Sequence, residues 1–281
     1  MLSYKLVKAA LREVKQLPRH AYKVTTGRIK NGAYPYEKIA FGAHRHQYLC
    51  WFEPNLDSKK HIIIFYHGGG WTFGRPEIFR DRAKLFAEAG YQVVMPAHRK
   101  LPFYDFTAIR EDLTLTLKQL FITMQTKRIL HKKIIVGGVS SGGNLAALLF
   151  FDPSLLEGTG FKPDQFTSAF FCGAPVNLEG MTDSFLLRKY AGKKGSRRFS
   201  NASPINLLPN SFSKELLVIH GTEDGLVNYE STVSFVQKLK KISTTPIEFY
   251  TIPNGSHLES VSWAYENNPI RQKILAWINR Q

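Results

Sequence analysis

Residues 133–151 read KIIVGGVSSGGNLAALLFF. The first part is apolar and β-branched, as in a buried strand, and the last part is rich in alanine and leucine, which favour a helix. Between them lies Gly138-Val-Ser140-Ser-Gly142, with a glycine two residues from the serine on each side. A serine on a sharp turn between strand and helix needs such glycines because the backbone segments approach closely there. This context predicts that Ser140 is a nucleophile exposed at the N-terminus of a helix.

Two other interpretations of this turn stay open. One is a tight glycine turn without chemistry. The other takes Ser141 as the reacting hydroxyl, although Val139 stands where its upstream glycine would be.

The alternation of strand, loop and helix repeats along the chain. The first two predicted strands form an antiparallel pair, and the later ones are uninterrupted apolar runs, as expected for parallel strands covered on both faces. The chain is therefore predicted to be an α/β protein with a mostly parallel central sheet of about eight strands flanked by helices. The predicted strands cover residues 37–41, 47–52, 61–66, 92–96, 133–137, 167–172, 215–220 and 247–252, and the predicted helices cover 79–89, 106–125, 143–151, 231–241 and 270–280.

Two segments lie outside this alternation within what we expect to be a single domain over residues 1–281. Residues 1–30 are predicted to form an N-terminal helical cap segment, with apolar residues at helical spacing that pack over the domain. The alternative is a basic amphipathic helix on a membrane surface. Residues 176–212 show no strand pattern and are predicted to form a small cap or lid insertion at one end of the sheet. Its Phe185 and Tyr190, together with Trp71, are expected to bind substrate.

Composition excludes several classes of protein. The 281 residues include 43% hydrophobic ones and two cysteines, which suggest no disulfide framework, and no Cys/His spacing is typical of a metal site. No apolar run approaches the length of a membrane span, and no secretory signal is recognisable, so a cytoplasmic protein is expected. The net charge of +16 is interpreted as a solvated basic surface, because no nucleic-acid-binding motif accompanies it.

Glycines also follow the strand predicted at residues 61–66, in His67-Gly-Gly-Gly70-Trp71. Ligands of open α/β sheets bind at the carboxyl ends of the strands. Bare backbone N–H groups at this edge are what an oxyanion requires. We therefore predict an oxyanion hole formed by the N–H groups of Gly69, Gly70 and Ser141. A phosphate-binding loop is the competing interpretation, but no lysine follows at the required spacing.

An acid and a histidine follow the last two predicted strands. Asp224 lies just after the strand at 215–220, and His257 lies just after the strand at 247–252. The order Ser, Asp, His along the chain fits a triad in which Asp224 orients His257 and His257 accepts the proton of Ser140. Glu223 is the alternative acid.

Four motifs together resemble the hormone-sensitive-lipase-like esterase family, which has the α/β-hydrolase fold. Further similarity lies at Arg99–Pro102 with Glu111-Asp112, where Asp112 is expected to brace the loops near the oxyanion turn. The sequence departs from the family at Val139, at Ser141 and at Ser256-His257-Leu258. These departures leave the acyl preference open and point to a compact branch shared with acetylesterases and kynurenine-formamidase-like enzymes. The four motifs are His67-Gly-Gly-Gly, Gly138-x-Ser140-x-Gly142-Gly-Asn144, His220-Gly-x-x-Asp224-x-x-Val227 and the late His257.

The resemblance implies a serine carboxylesterase that hydrolyses short-chain acyl esters, acetyl to butyryl, through an acyl-enzyme. It implies no cofactor and no metal, and the expected partner is a small-molecule ester. An arylformamidase- or peptidase-like amide hydrolase with the same triad is the main alternative. A non-catalytic binding protein and a peripheral membrane lipase are the others, and a homodimer is compatible with the fold.

Overall fold

The computed structural model describes residues 11–16, 18, 34–55, 61–265 and 269–281. Its centre is an eight-stranded sheet in the order β1-β2-β4-β3-β5-β6-β7-β8. Strand β2 pairs antiparallel with both β1 and β4, and the six strands β3 to β8 run parallel to one another. This confirms the predicted mostly parallel sheet of the α/β-hydrolase fold. The strands are β1 (Glu37–Ala40), β2 (Tyr48–Phe52), β3 (Ile62–Tyr66), β4 (Gln92–Pro96), β5 (Ile134–Val139), β6 (Phe166–Cys172), β7 (Glu215–Gly221) and β8 (Ile247–Ile252).

Helices cover both faces of the sheet. Leu113, Leu145 and Phe235 belong to the apolar cluster on one face, which includes residues of α2, α3 and α6. Phe86 and Trp277, from α1 and α8, belong to the cluster on the other face. Strands β2 to β5 are buried at every position, and because both of their faces are covered they contain no alternation of polar and apolar residues. The helices are α1 (Arg80–Glu88), α2 (Phe106–Thr126), α3 (Ser141–Phe151), α4 (Phe185–Ala191), α5 (Arg197–Ala202), α6 (Tyr229–Ile242), α7 (His257–Val261) and α8 (Pro269–Asn279).

Strand β5 and helix α3 are longer than predicted. The strand extends to Val139 and the helix begins at Ser141, so Ser140 alone separates them. Glycine is a poor helix former, so the local sequence does not favour a helix over Gly142-Gly143. Tertiary packing decides otherwise: a Cβ on Gly142 would lie 2.2 Å from the carbonyl oxygen of His67. The glycines therefore allow α3 to begin directly against the end of β3.

The insertion at residues 176–212 contains α4 and α5. Asn144 of α3 connects it to the sheet, because its Nδ2 donates to the carbonyl oxygens of Pro175 at 3.0 Å and Ala202 at 3.1 Å. Its Oδ1 accepts a hydrogen bond of 2.7 Å from the hydroxyl of Tyr190 in α4. Both side chains are fully buried. That this segment acts as a lid remains a proposal.

The predicted N-terminal cap segment, residues 1–30, lies mostly outside the described residues. Within it, residues 11–16 are helical. The expectation that apolar residues pack against the domain is wrong for Leu11 and Val14, which are 57% and 61% exposed. Polar side chains face the domain instead, since Glu13 and Gln16 bond to groups near His257. Of the helices in the described ranges, none has the length and apolar character needed to cross a bilayer.

Candidate active site

Ser140 occupies the turn between β5 and α3 in a conformation that non-glycine residues rarely adopt, with φ of 52° and ψ of −131°. A Cβ on Gly138 would lie 2.4 Å from the carbonyl oxygen of Gly142. The two glycines of the motif therefore face each other across the turn, and the spacing in the sequence follows from this contact. The Ser140 N–H donates to the carbonyl oxygen of Cys172 at 2.9 Å, which fixes the turn to β6.

The structure brings Ser140, His257 and Asp224 together from three separate strand ends. The Oγ of Ser140 lies 2.9 Å from Nε2 of His257, and Nδ1 of His257 lies 2.7 Å from Oδ2 of Asp224. The other oxygen of Asp224 accepts from the N–H groups of Leu226 at 2.9 Å and Val227 at 2.7 Å. This places Nδ1–H toward the carboxylate and leaves the Nε2 lone pair free to accept the serine proton.

Glu223, the alternative acid, faces away from His257. Its carboxylate lies 2.6 Å from the guanidinium of Arg12, and its side chain is half exposed. Asp224 alone of the two contacts the imidazole.

Electrostatics in the site follow from burial and from these contacts. Burial raises the pKa of Asp224, but the imidazoles of His257 and His220 outweigh it and hold that pKa well below its usual range. Burial lowers the pKa of His257, but the charge and hydrogen bond of Asp224 outweigh it and raise that pKa above 6.5. The pair therefore favours a carboxylate beside an imidazole that readily accepts a proton.

His220 is a functional contact that sequence reasoning missed. The motif that it shares with Asp224 assigned it no role in the site, and its Nε2 lies 3.1 Å from the carbonyl oxygen of Val227. The same atom also lies 3.0 Å from Oδ2 of Asp224. Asp224 is therefore held by two imidazoles and two backbone N–H groups. The signal in the sequence was a histidine four residues before the acid.

The glycine turn after β3 lies beside Ser140. A Cβ on Gly68 would be 3.2 Å from the Cβ of Ser140. Gly69 and Gly70 adopt φ of 133° and 58°, which favour glycine, and the Gly69 carbonyl accepts from the N–H of Phe73 at 3.1 Å. Within the described part of the chain, the N–H groups of Gly69, Gly70 and Ser141 donate to no backbone carbonyl. Three N–H groups next to Ser140 can therefore stabilise an oxyanion.

A buried cluster of His67, Lys100 and His98 lies beneath this turn, and the sequence did not predict it. Each imidazole has its Nδ1 2.7 Å from a backbone carbonyl oxygen, that of Gly68 or of Arg99. The Lys100 ammonium lies 3.1 Å from Nε2 of His98 and 3.5 Å from Nε2 of His67. Burial lowers the pKa of Lys100 to about 7, although Asp112 opposes the effect.

Asp112 braces the neighbouring loop, as predicted. This buried carboxylate accepts hydrogen bonds from the backbone N–H of Arg99 at 2.7 Å and from the side chain of Gln47 at 2.9 Å.

The three residues predicted to bind substrate have different surroundings. Trp71 and Tyr190 are buried and stack on each other, with ring centroids 4.0 Å apart. Tyr190 has no exposed surface, so the structure contradicts its predicted contact with substrate, and its role is to pack the insertion against the oxyanion turn. Phe185 is 73% exposed. It lines an open groove of about 710 Å³ together with Pro102, Phe103, Tyr104, Asp105, Ala108, Arg188, Lys189 and Arg198.

The described ranges contain no group of three or more histidine, cysteine or acidic side chains arranged to hold a metal ion. Cys50 and Cys172 are buried and form no disulfide.

Comparison with known proteins places this site in a family. The chain is 23% identical to the esterase LipC of Mycobacterium tuberculosis over 90% of its own length and 67% of that protein. A truncated carbohydrate esterase from gut microbiota superposes with a TM-score of 0.73 at 17% identity, covering 89% of this chain and 98% of that one. Esterase B from Lactobacillus rhamnosis superposes with a TM-score of 0.72 at 17% identity, covering 99% and 96%. At such identities the two structures show a shared fold.

The family match covers most of the catalytic architecture. The model of the BD-FAE family matches residues 51–239, well over half of the chain, and this span includes the glycine turn, Ser140 and Asp224. His257 follows beyond the matched span but lies within hydrogen-bonding distance of both Ser140 and Asp224. The fold and the resemblance to α/β-hydrolase esterases are thereby confirmed, and the chain belongs to the BD-FAE family.

Proposed function

We propose that the chain is a serine carboxylesterase that hydrolyses short-chain acyl esters, acetyl to butyryl, through an acyl-enzyme intermediate. The observation that supports this most directly is the unbroken series of contacts from Ser140 Oγ through His257 to Asp224, beside three N–H groups that donate to no backbone carbonyl in the described ranges. The mycobacterial relative and the similar structures named above are esterases by name, which supports the same reaction class.

In the proposed mechanism, Oγ of Ser140 attacks the ester carbonyl while Nε2 of His257 accepts the hydroxyl proton. The N–H groups of Gly69, Gly70 and Ser141 stabilise the oxyanion of the tetrahedral intermediate. Protonated His257 then donates its proton to the leaving alkoxide oxygen, the C–O bond of the ester breaks, and an acyl-Ser140 ester remains. Water activated by the same imidazole attacks this ester, releases the carboxylic acid and returns the proton to Ser140.

The preference for a short acyl group is supported by packing next to the oxyanion turn. Trp71 follows Gly70 directly and stacks on Tyr190, whose ring also contacts Phe106 at a centroid distance of 5.6 Å. A Cβ on Gly70 would lie 3.5 Å from a methyl group of Leu186 in α4. Side chains thus fill the space between the turn and α4, which limits the length of chain that an acyl pocket on this side accepts.

The groove lined by Phe185 is the proposed site for the remainder of the substrate. It lies beside the oxyanion turn, because neighbours of two of its lining residues contact that turn. Leu101, which precedes Pro102, donates its N–H to the carbonyl oxygen of Trp71 at 3.0 Å, and Leu186, which follows Phe185, lies close to Gly70. Its walls combine aromatic rings with basic side chains, which suits a polar leaving group larger than methanol.

The test is hydrolysis of p-nitrophenyl esters from acetyl to decanoyl. We compare the wild type with Ser140→Ala and with Ser211→Ala, which replaces an exposed serine that is not one of the site residues. Activity should fall with acyl length, remain in Ser211→Ala and disappear in Ser140→Ala. Mass spectrometry of the protein quenched during turnover should detect the acyl group on the peptide that contains Ser140.

Two results would count against the proposal. Equal or greater activity on decanoyl esters would refute the short-chain preference. A folded wild type that hydrolyses aryl formamides or peptides but none of the esters would refute the esterase assignment in favour of an amide hydrolase.

A further inference from the structure

The carboxylate of Glu13 is buried between the two loops that present Asp224 and His257. Glu13 is 2% exposed. Its Oε1 accepts a hydrogen bond from the backbone N–H of His257 and another, of 3.3 Å, from the N–H of Gly225. Its Oε2 accepts from the N–H of Leu258 at 3.3 Å. One side chain from the beginning of the sequence therefore joins the loop of the acid to the helix of the histidine.

Helix α7 depends on this carboxylate for its first turn. The N–H groups at the start of a helix have no acceptor within the helix. In α7 the first two, those of His257 and Leu258, donate to Glu13, and the third, that of Glu259, donates to the Ser256 hydroxyl at 3.3 Å. Because His257 is the first residue of α7, the position of this turn determines the position of the imidazole.

Neighbouring side chains hold residues 11–16 in place. The Arg12 guanidinium lies 2.6 Å from a carboxylate oxygen of Glu223 and 2.8 Å from the carbonyl oxygen of Asn254. The side chain of Gln16 accepts from the Ser256 hydroxyl at 2.8 Å. A carboxylate is costly to bury unless it is hydrogen bonded, and here the partners are backbone groups of both active-site loops.

We propose that Glu13 is a positioning residue of the active site, which fixes the start of α7 against the Asp224 loop and thereby holds the imidazole between Asp224 and Ser140. The inference depends on the proposed function, in which His257 transfers the proton. A displacement of a catalytic group by about 1 Å is enough to reduce turnover by about 100-fold. Arg12 also spans the two loops, through Glu223 and Asn254, whereas Glu13 accepts hydrogen bonds from backbone N–H groups of both loops, those of Gly225 and His257.

The charge of Glu13 also acts on His257. Burial lowers the pKa of the imidazole, Asp224 raises it by its charge and hydrogen bond, and the charge of Glu13 raises it further. Glu13 thus favours the imidazolium that forms during the reaction. The charged and titratable groups around these two residues are Asp224 and Glu223 on the acid loop, His220 on β7, Glu259 on α7 and Arg12 on the N-terminal segment.

The test uses the full chain with Glu13→Gln, Glu13→Asp and the control Lys15→Gln, an exposed position of the same segment. The glutamine keeps the size but removes the charge, while the aspartate keeps the charge on a shorter side chain. We measure kcat, KM and the pH dependence of kcat/KM with p-nitrophenyl acetate, together with thermal unfolding. The pKa of His257 is measured by NMR on protein with ¹⁵N-labelled histidine, with His257→Ala to assign its signals.

For Glu13→Gln we expect kcat to fall about 10- to 100-fold with a smaller change in KM. The pKa of His257 should fall by about 0.5 to 1, because a negative charge near the imidazolium is lost. Glu13→Asp should keep that pKa close to the wild-type value, and Lys15→Gln should match the wild type in every measurement.

An unchanged pKa of His257 in Glu13→Gln would overturn the inference. This holds if the variant keeps its activity, and also if it loses activity only as far as its lower melting temperature accounts for. The NMR measurement needs no substrate. A wild type that hydrolyses no ester would therefore refute the proposed function. The pKa of His257 would still show whether Glu13 acts on the imidazole.

Discussion

Replacing Lys100 by methionine should change how the stability of the protein depends on pH. The Lys100 ammonium is buried beneath the oxyanion turn and contacts Nε2 of His98 and of His67. Burial lowers its pKa from 10.5 to about 7 in the folded protein, against the opposing charge of Asp112. Methionine has a similar length and no charge, so the variant lacks this titration.

The sign and size follow from proton linkage. Between pH 7 and 10.5 the unfolded chain binds the Lys100 proton more tightly than the folded protein does. The free energy of unfolding of the wild type therefore increases as the pH rises through this range. Each pH unit contributes about 1.4 kcal/mol, and the whole interval contributes about 5 kcal/mol. Below pH 7 the full penalty of burying the charge remains.

The assay is urea denaturation, followed by tryptophan fluorescence, at several pH values from 7.5 to 9.5. The free energy of unfolding of the wild type minus that of Lys100→Met should rise by about 2 to 3 kcal/mol over this range. The variant also removes a donor from His67 and His98. Burial is the main cause that holds the pKa of both imidazoles well below 6.5, and it is kept in the variant, so the loss of the donor shifts the whole curve and not its slope.

Lys118→Met, on the exposed side of α2, is the control for replacing any lysine by methionine. The reasoning would be refuted if the difference between the wild type and Lys100→Met stayed constant with pH. In that case the ammonium would be hydrated in the folded protein.

Two further predictions concern the acid and the insertion. Asp224→Asn should lower kcat/KM by about 10³- to 10⁴-fold, because an amide does not hold the Nδ1–H of His257 as the carboxylate does. The control Glu223→Gln, at the exposed neighbouring acid, should change kcat/KM by less than about 3-fold. Equal losses of kcat/KM in the two variants, measured by steady-state assays, would contradict the assignment of Asp224. Tyr190→Phe should lower the free energy of unfolding by about 1 to 3 kcal/mol because the buried Oδ1 of Asn144 loses its donor. Urea denaturation beside Tyr104→Phe, at a half-buried ring, measures this effect, and equal stability of the two variants would show that the hydrogen bond contributes nothing.

The sequence by itself determined the sheet and the order of the site residues. Uninterrupted apolar runs alternate with helical segments, and this local pattern is sufficient for a parallel sheet buried on both faces. Because active-site groups of such sheets follow the carboxyl ends of the strands, Ser140, Asp224 and His257 could be identified from their positions after β5, β7 and β8. The glycines at positions 138 and 142 marked the turn before any contact was known.

Only the tertiary structure decided which groups surround the triad. Glu13 bonds to the backbone of His257 across 244 residues of sequence, and Lys100 contacts His67 across 33, so neither contact has a local pattern. Burial reversed two expectations in the same way: Tyr190 packs inside the insertion, and Leu11 and Val14 face outward while Glu13 is buried. For residues 11–16 the physical reason is that the N–H groups at the start of α7 require an acceptor, and this requirement outweighs the burial of Leu11 and Val14.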